Sequence, residues 1–298
     1  MISVIISSAS SQLLQDVKNN IHQTIGVQYE IMAFDNSNGQ RSICNIYNEG
    51  IKKAKFDLLC FMHEDVAFIT KNWGKIVADL FALNHRLGVL GIAGSIYKSL
   101  APSGWPNHTS LVETEYSNLL QSFKYAKDQT VIHRRNPDEQ NPVAVAAVDG
   151  VWMCVKKNVA EQFMFDEARF DKFHCYDIDF CIAAGRHYTI EVTFDILLHH
   201  FSEGNFDDVW IKETIKLHKK WSYLLPVYSR PFSKEQIQAI ENHNFVYFLS
   251  RLVHFGFPAS TAYKLLWQGK YRERLGLRLF VRFFKYIRRA YKQKQSST

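Results

Sequence analysis

Residues 2–8, ISVIISS, form a short β-branched apolar run, which predicts a buried strand. A helix is predicted over 11–24, with Ser10 or Ser11 as its N-cap and Leu13, Leu14, Val17 and Ile21 on one face. YEIMAFD, from Tyr29, predicts a second strand that runs into the turn residues Asp35, Asn36, Ser37, Asn38 and Gly39. From Ser42 to Lys55, Ile43, Ile46, Tyr47 and Ile51 recur at helical spacing. FDLLCFM (56–62) is a continuous apolar run bounded by charge, as in a strand buried on both faces. A helix over 70–84 and a strand in LGVLGIAGS (87–95) follow. This alternation predicts a parallel α/β sheet with right-handed crossovers. Ligands of such sheets sit at the carboxyl ends of the strands. Those ends carry Ser7 and Ser8, then Asp35 to Ser37, then His63, Glu64 and Asp65.

Residues 97–142, with four prolines and Trp105, read as irregular and are too long for an ordinary loop. AVAAVDGVWMCVKK (144–157) is strand-like. The acidic and aromatic segment 165–187 contains a helix start from Asp177 to Ala184, with acids where the helix dipole favours them. YTIEVTFDILLHHF (188–201) reads as a strand pair ending in His199 and His200. After Pro226 the pattern turns helical and basic. The expected division is therefore an α/β domain over 1–225 and a helical extension over 226–298.

With 298 residues, 47% of them hydrophobic, the chain is able to bury a substantial core, which excludes disorder as its main state. No apolar run reaches about 18 residues, so no membrane-spanning helix is expected. The N-terminus lacks the basic start of a signal peptide. The five cysteines include no CxxC pair and lie in apolar contexts, which predicts buried thiols in a reducing, cytoplasmic compartment. Charge adds a second feature. From Lys264 to Thr298 there are eleven Lys or Arg and one acid, so the +7 of the whole chain belongs to its tail and the rest is mildly acidic. Arg274, Arg278, Arg282, Lys285, Arg289 and Lys292 fall within a helical arc of about 80°. Leu279, Phe280, Phe283, Phe284, Ile287 and Tyr291 lie opposite. Such a helix either lies in an anionic membrane interface or packs its apolar face on its own domain. No RNA-binding motif accompanies it, and nucleic acid is not an expected partner.

Four groups carry candidate chemistry. His63-Glu64-Asp65 follows the buried strand and offers carboxylates to a hard cation, or makes a solvated turn. Asp35-Asn36-Ser37 is also a good Asx-type turn. Asp177 and Asp179 are two apart on a helix and do not share a face. His199-His200 ends a strand, where a histidine is either a ligand or a satisfied structural residue. Trp105, Trp152 and Tyr176 are candidates for stacking on sugar rings or for core packing.

Taken in order, ISVIISS, the Asp35-Asn36-Ser37 turn, SICNIYNEGIKKAK and FDLLCFMHEDV resemble the nucleotide-binding half of family 2 glycosyltransferases, which have the GT-A fold. HEDV, VDGVWMCVKK, FHCYDIDFC, HHFSEGNFDDVW and HKKW resemble a bacterial glycosyltransferase-like subgroup, over about residues 2–225. The resemblance implies a Rossmann-like, mostly parallel mixed sheet flanked by helices. It implies an inverting transferase that moves a sugar from a nucleotide-sugar donor to a glycan or lipid-linked acceptor in bacterial capsule or lipopolysaccharide synthesis. The location implied is the inner face of the plasma membrane. Ser7, Asp35, Asn48, Glu64, Asp65, Asp149 and Gly150 would bind the donor, and Asp177 would be the general base. Asp65 and His200, or His199 one residue away, would hold Mn2+ or Mg2+. Two positions depart from the family pattern: His63 stands for the first acid of a DXD-type motif, and Tyr176 for the glutamate before the base. A non-catalytic nucleotide- or sugar-binding module is the alternative those departures raise. A nucleotidyltransferase is another, but SSASSQ is not the Gly-rich, basic phosphate loop that such an enzyme carries.

Overall fold

The apolar runs become strands and the amphipathic segments helices in the computed structural model. It describes residues 1–107, 109–123, 126–202, 204 and 206–296, with only the backbone of 126–129 and 294–296. Two compact units divide the chain, 1–96 with 115–204, and 97–114 with 205–298. The boundary expected at 225/226 lies inside the second unit.

The first unit begins β1 (Ile2–Ser8), α1 (Ser11–Thr24), β2 (Tyr29–Asp35), α2 (Ile43–Lys53), β3 (Leu58–Met62), β4 (Val66–Phe68), α3 (Trp73–Leu83), β5 (Leu87–Gly91) and β6 (Ala93–Ser95). Beyond β7 (Tyr97–Lys98), which belongs to the second unit, it continues with β8 (Glu115–Phe123), β9 (Ala126–Arg135), β10 (Val143–Ala144), β11 (Ala147–Val148) and β12 (Trp152–Lys156). It ends with α4 (Lys157–Phe163), α5 (Tyr176–Ala184), β13 (Thr189–Val192) and β14 (Leu198–His200). Ser10 and Ser42 cap α1 and α2, their hydroxyls accepting from Leu13 and Asn45 N–H.

Among the described residues, seven strands form one sheet in the order β10-β13-β5-β12-β3-β1-β2. β1, β2 and β3 are parallel, as are β5 and β13, while β12 runs antiparallel between β3 and β5. Ile2, Val4, Ile5, Ile6, Leu59, Cys60, Phe61 and Met62 are fully buried, as a strand covered on both faces requires. A second sheet has the order β11-β6-β8-β14-β4, with β9 paired to β8.

The second sheet corrects two expectations and adds to a third, since the two strands expected over 188–201 are present as β13 and β14. Residues 97–142 are not irregular throughout, because β8 and β9 form a long hairpin. Their polar sequence hides this; β8 is held by pairing with β6 and β14, not by an apolar periodicity of its own. The run 87–95 is two strands in different sheets, and so are the two strands of 188–201. In both places the apolar pattern runs on through the point where the chain leaves one sheet for the other. All five cysteines are buried and unbridged. Trp152 is fully buried with its ring edge-on to Trp73, so it is core and not a sugar platform.

The second unit contains β7, α6 (Asp208–Lys220), β15 (Val227–Tyr228), α7 (Lys234–His254), α8 (Ala259–Gln268), α9 (Tyr271–Leu275) and α10 (Leu277–Ser296). Buried Glu241 of α7 accepts from Tyr97 Oη at 2.7 Å, Leu100 N–H at 2.8 Å and Ala101 N–H at 2.7 Å. Leu279, Phe280, Phe283 and Ile287 of α10 are buried. Phe283 stacks on Phe245 at 4.0 Å between centroids, and Trp267 meets Phe280 at 5.0 Å. Most of the apolar face of α10 is thus packed on α7 and α8, while Phe284 stays exposed. Arg278, Arg282, Lys285, Arg288, Arg289 and Lys292 are exposed. No helix among the described residues is long and apolar enough to cross a membrane.

Candidate active site

The site grows out of the turn that carries the chain from β3 in one sheet to β4 in the other. His63 N–H bonds Val151 O at 3.1 Å, extending the ladder between β3 and β12. Phe201 N–H bonds Asp65 O at 3.0 Å, extending the ladder between β14 and β4. Held at both ends, the turn keeps the two-residue alternation of a strand, which puts His63 and Asp65 on one side and Glu64 on the other. The contacts follow this division. Glu64 accepts from Ser8 Oγ at 2.7 Å and from Ala9 and Ser10 N–H at 3.0 and 3.1 Å, at the start of α1. His63 and Asp65 meet, with Nδ1 and Oδ1 3.8 Å apart.

β14 applies the same rule to the two histidines. His200 lies beside Gln121 in the parallel register with β8. Its Nε2 is 3.6 Å from Asp65 Oδ1, while His199 Nε2 bonds Ser122 Oγ at 2.8 Å on the other face. His200 is therefore the histidine of the site and His199 is not.

The hydrogen bonds assign the tautomers. Gln121 Nε2 donates to Ser122 O and Ser202 O, both at 2.7 Å, so its Oε1 is the acceptor for His200 Nδ1–H at 3.1 Å. That leaves the lone pair on His200 Nε2, which is buried and has no hydrogen-bond partner. Tyr176 Oη donates to Gly150 O at 3.2 Å, so at 3.1 Å it accepts from His63 Nε2–H. The lone pair of His63 is then on Nδ1, the atom nearest Asp65. Ser202 Oγ donates to Asp65 Oδ2.

Burial opposes the ionisation of Asp65, but protonated His200 and His63 and the Ser202 hydroxyl would outweigh it and hold the carboxyl well below its usual range; with the rings neutral, the two lone pairs and the carboxylate face one another with no proton between them. Burial pushes the pKa of the His63 imidazole down. One donor atom from each of His63, Asp65 and His200 lies within 4.8 Å of the others. Adjacent donors around a cation at about 2.1 Å lie about 3 Å apart, so the separations of 3.8 and 3.6 Å from Asp65 would close by less than about 1 Å and that between the two imidazoles by no more than about 2 Å. Two imidazole lone pairs and an ionised carboxylate fit a divalent cation.

A second acid stands beside this cluster. Cys175 takes φ 65°, and the turn it makes opens α5 with Tyr176 and Asp177 in its first turn. Asp177 accepts from Gly150 N–H at 2.9 Å and from Ile178 N–H at 2.8 Å. Burial, and then the charge of Asp149, push its carboxyl up to about 7 despite those bonds. Asp149 accepts from Val151 N–H at 2.7 Å. A Cβ on Gly150 would lie 2.2 Å from Tyr176 Oη, so the close approach of these two segments requires glycine.

Other expected site residues have structural partners. Asp35 is exposed and accepts from Ser37 N–H at 2.9 Å, the Asx turn. Asn48 is buried with both ends of its amide on Phe165, donating to O and accepting from N–H, each at 2.8 Å. Ser7 lies half-buried in β1, opposite Phe34. Tyr176 is buried against Tyr47 and Phe165 and is not a sugar platform. Glu203 and Asn205, in HHFSEGNFDDVW, lie outside the described residues.

Three residues emerge only here. Gln121 sits in a strand with no motif, and Ser202 was part of a motif but held no role. Phe173 is 51% exposed with its ring 5.1 Å from that of His63, in the segment FHCYDIDFC that marked Asp177.

The Glycosyltransferase like family model matches residues 3–223. No curated protein sequence matches the chain. Among solved structures, residues 1–349 of TarS from S. aureus superpose with a TM-score of 0.54 at 13% identity, over 99% of this chain and 90% of that one. The same protein in complex with UDP-GlcNAc gives 0.53 at 12% identity, with the same coverage. The mannosyltransferase PcManGT from Pyrobaculum calidifontis, in complex with GDP-Man and Mn2+, gives 0.51 at 10% identity, over 99% and 86%. The fold is GT-A.

Proposed function

The chain belongs to the glycosyltransferase-like family, and from that membership we propose that it transfers a sugar, with inversion, from a nucleotide-sugar donor to a glycan or lipid-linked acceptor. The observation that carries this reading is the buried, unpartnered lone pair of His200 Nε2 beside the ionised Asp65. A nucleoside diphosphate gathers negative charge as it leaves the anomeric carbon, and a cation held at these two residues would neutralise it. Structures of the same fold bind UDP-GlcNAc in TarS and GDP-Man with Mn2+ in PcManGT, in keeping with such a donor.

Asp65 and His200 would hold the cation, Mn2+ or Mg2+. When bound, it neutralises the charge that develops on the departing diphosphate. Asp177 accepts the proton of the acceptor hydroxyl as that oxygen bonds to the anomeric carbon and the bond from carbon to phosphate oxygen breaks. Its raised pKa, about 7, suits a base that works near neutrality. Gly150 N–H and Ile178 N–H orient the carboxylate. Asp149 beside it raises its basicity. Ser7, Asp35, Asn48, Glu64 and Gly150 would line or shape the donor site, Glu64 and Asn48 by fixing the backbone they bond.

The catalytic region would span 1–225, a reading that the match over 3–223 supports, with 226–298 as its extension. Surface-polysaccharide synthesis at the cytoplasmic face of a bacterial membrane is the setting we propose. The basic face of α10 would attract the chain to anionic lipid there.

A thermal-shift panel of UDP-, GDP-, CMP- and dTDP-sugars, each with and without Mn2+, tests the donor reading. A shift with one nucleotide that needs Mn2+ and is lost in Asp65→Ala supports it and identifies the donor class. No shift with any of them favours the non-catalytic binding module.

A further inference from the structure

The two departures from the family pattern touch each other. His63, in place of an acid, and Tyr176, in place of a glutamate, are joined by the 3.1 Å bond from His63 Nε2–H to Tyr176 Oη. Tyr176 Oη is itself fixed by Gly150 O, and Gly150 has no side chain to hold it off. This chain turns the Nδ1 lone pair of His63 towards Asp65. A ring nitrogen that donates to a fixed acceptor while its partner atom faces a cation is how proteins orient a histidine ligand. His200 is built in the same way, through Gln121. We propose that His63 is a third protein ligand of the cation, positioned by Tyr176, and that the resulting set of two imidazoles and one carboxylate selects Mn2+ over Mg2+.

The selectivity follows from the donors. Mg2+ is a hard ion that prefers oxygen and gives up water reluctantly, whereas imidazole suits the first-row transition ions. An acid at position 63 would offer the oxygen that Mg2+ prefers. The imidazole there withdraws it, and a lone-pair donor in place of a carboxylate leaves the site with one negative charge from its ligands where two acids would supply two. The remaining coordination positions are left for water and for the oxygens of a diphosphate. Tyr176 is a positioning residue in this arrangement, since its hydroxyl reaches the cation only through His63.

The proposal rests on the reading of Asp65 and His200 as cation ligands, and the test separates the two. Pulsed EPR of the full chain loaded with Mn2+ alone reads nitrogens bonded directly to the ion. Two imidazole nitrogens are expected in the wild type and one in either His63→Gln or His200→Gln. Competition with Mg2+ gives a second readout. Mn2+ affinity should fall by more than about tenfold in His63→Gln and by about tenfold in Tyr176→Phe, which keeps the ring and loses the hydroxyl. His63→Asp should lower the preference for Mn2+ over Mg2+ by about tenfold or more. One bound nitrogen in the wild type, unchanged in His63→Gln, overturns the role of His63 and leaves the cation site standing. No bound nitrogen in the wild type overturns both.

Discussion

Asp177 shows how much a single environment decides. Its carboxylate accepts two backbone N–H bonds, which favour the charged form, yet burial and Asp149 outweigh them and bring its pKa to about 7. A base must be deprotonated to act, so kcat/KM for transfer should climb as pH rises through about 7 and then level off. A profile flat from about pH 5.5 to about 8.5 would remove Asp177 from that role. Asp177→Asn should cut kcat by about 10²–10⁴-fold while the donor still raises the melting temperature. The same shift acts on stability with a definite sign. Between the ordinary value of 3.8 and about 7, the folded chain keeps a proton that the unfolded chain has lost, so stability drains as pH rises through that window. Asp177→Asn has no such loss. Its melting temperature relative to wild type should therefore increase from about pH 4 to about pH 7, and a constant difference would contradict the raised pKa.

Strands turn neighbouring residues into residues with different work. On β14, His200 faces Asp65 and His199 faces Ser122. His199→Ala should therefore leave Mn2+ binding by the purified chain as it is, and His200→Ala should weaken it by at least about tenfold. The opposite result would mean that β14 is shifted by one residue against β8. Helix α2 gives an energetic counterpart, because Asn48 bonds both backbone groups of Phe165. Asn48→Ala strands a buried donor and acceptor and should cost about 1–3 kcal/mol or more, read as a lowered midpoint in denaturant. These cases also mark how far the sequence was legible. Alternating apolar runs and caps placed β1, α1, β2, α2 and β3 correctly, since each is decided by its own residues. His63, Glu64 and Asp65 stood out because acids at the end of a buried strand have few reasons to be there. Gln121 did not stand out, because its role comes from the strand beside it. Which histidine of the pair faces Asp65 depends on register, a relation between strands that no single segment expresses.

Across the whole chain, the positive charge is concentrated in one segment. The tail from Lys264 carries the excess of Lys and Arg, while the rest of the +7 chain is mildly acidic. Had the apolar stripe of α10 been free, insertion among lipid tails would have been the expected mode. Leu279, Phe280, Phe283 and Ile287 of it are buried, Phe283 fully so against Phe245. What remains outside is the row of Arg278, Arg282, Lys285 and Arg289, with Leu277, Val281 and Phe284 exposed beside it. A membrane contact through this surface is therefore electrostatic first, worth about 1 kcal/mol for each basic residue near an anionic surface and screened within a Debye length. Vesicles with anionic lipid should retain the chain at low salt and release it as ionic strength rises, while neutral vesicles should not retain it. Replacing Arg278, Arg282 and Arg289 together by Ala should weaken retention on the order of a hundredfold. The melting temperature should hold, because these side chains lie outside the buried face. Retention by neutral vesicles that resists salt would mean instead that α10 leaves its packing and inserts.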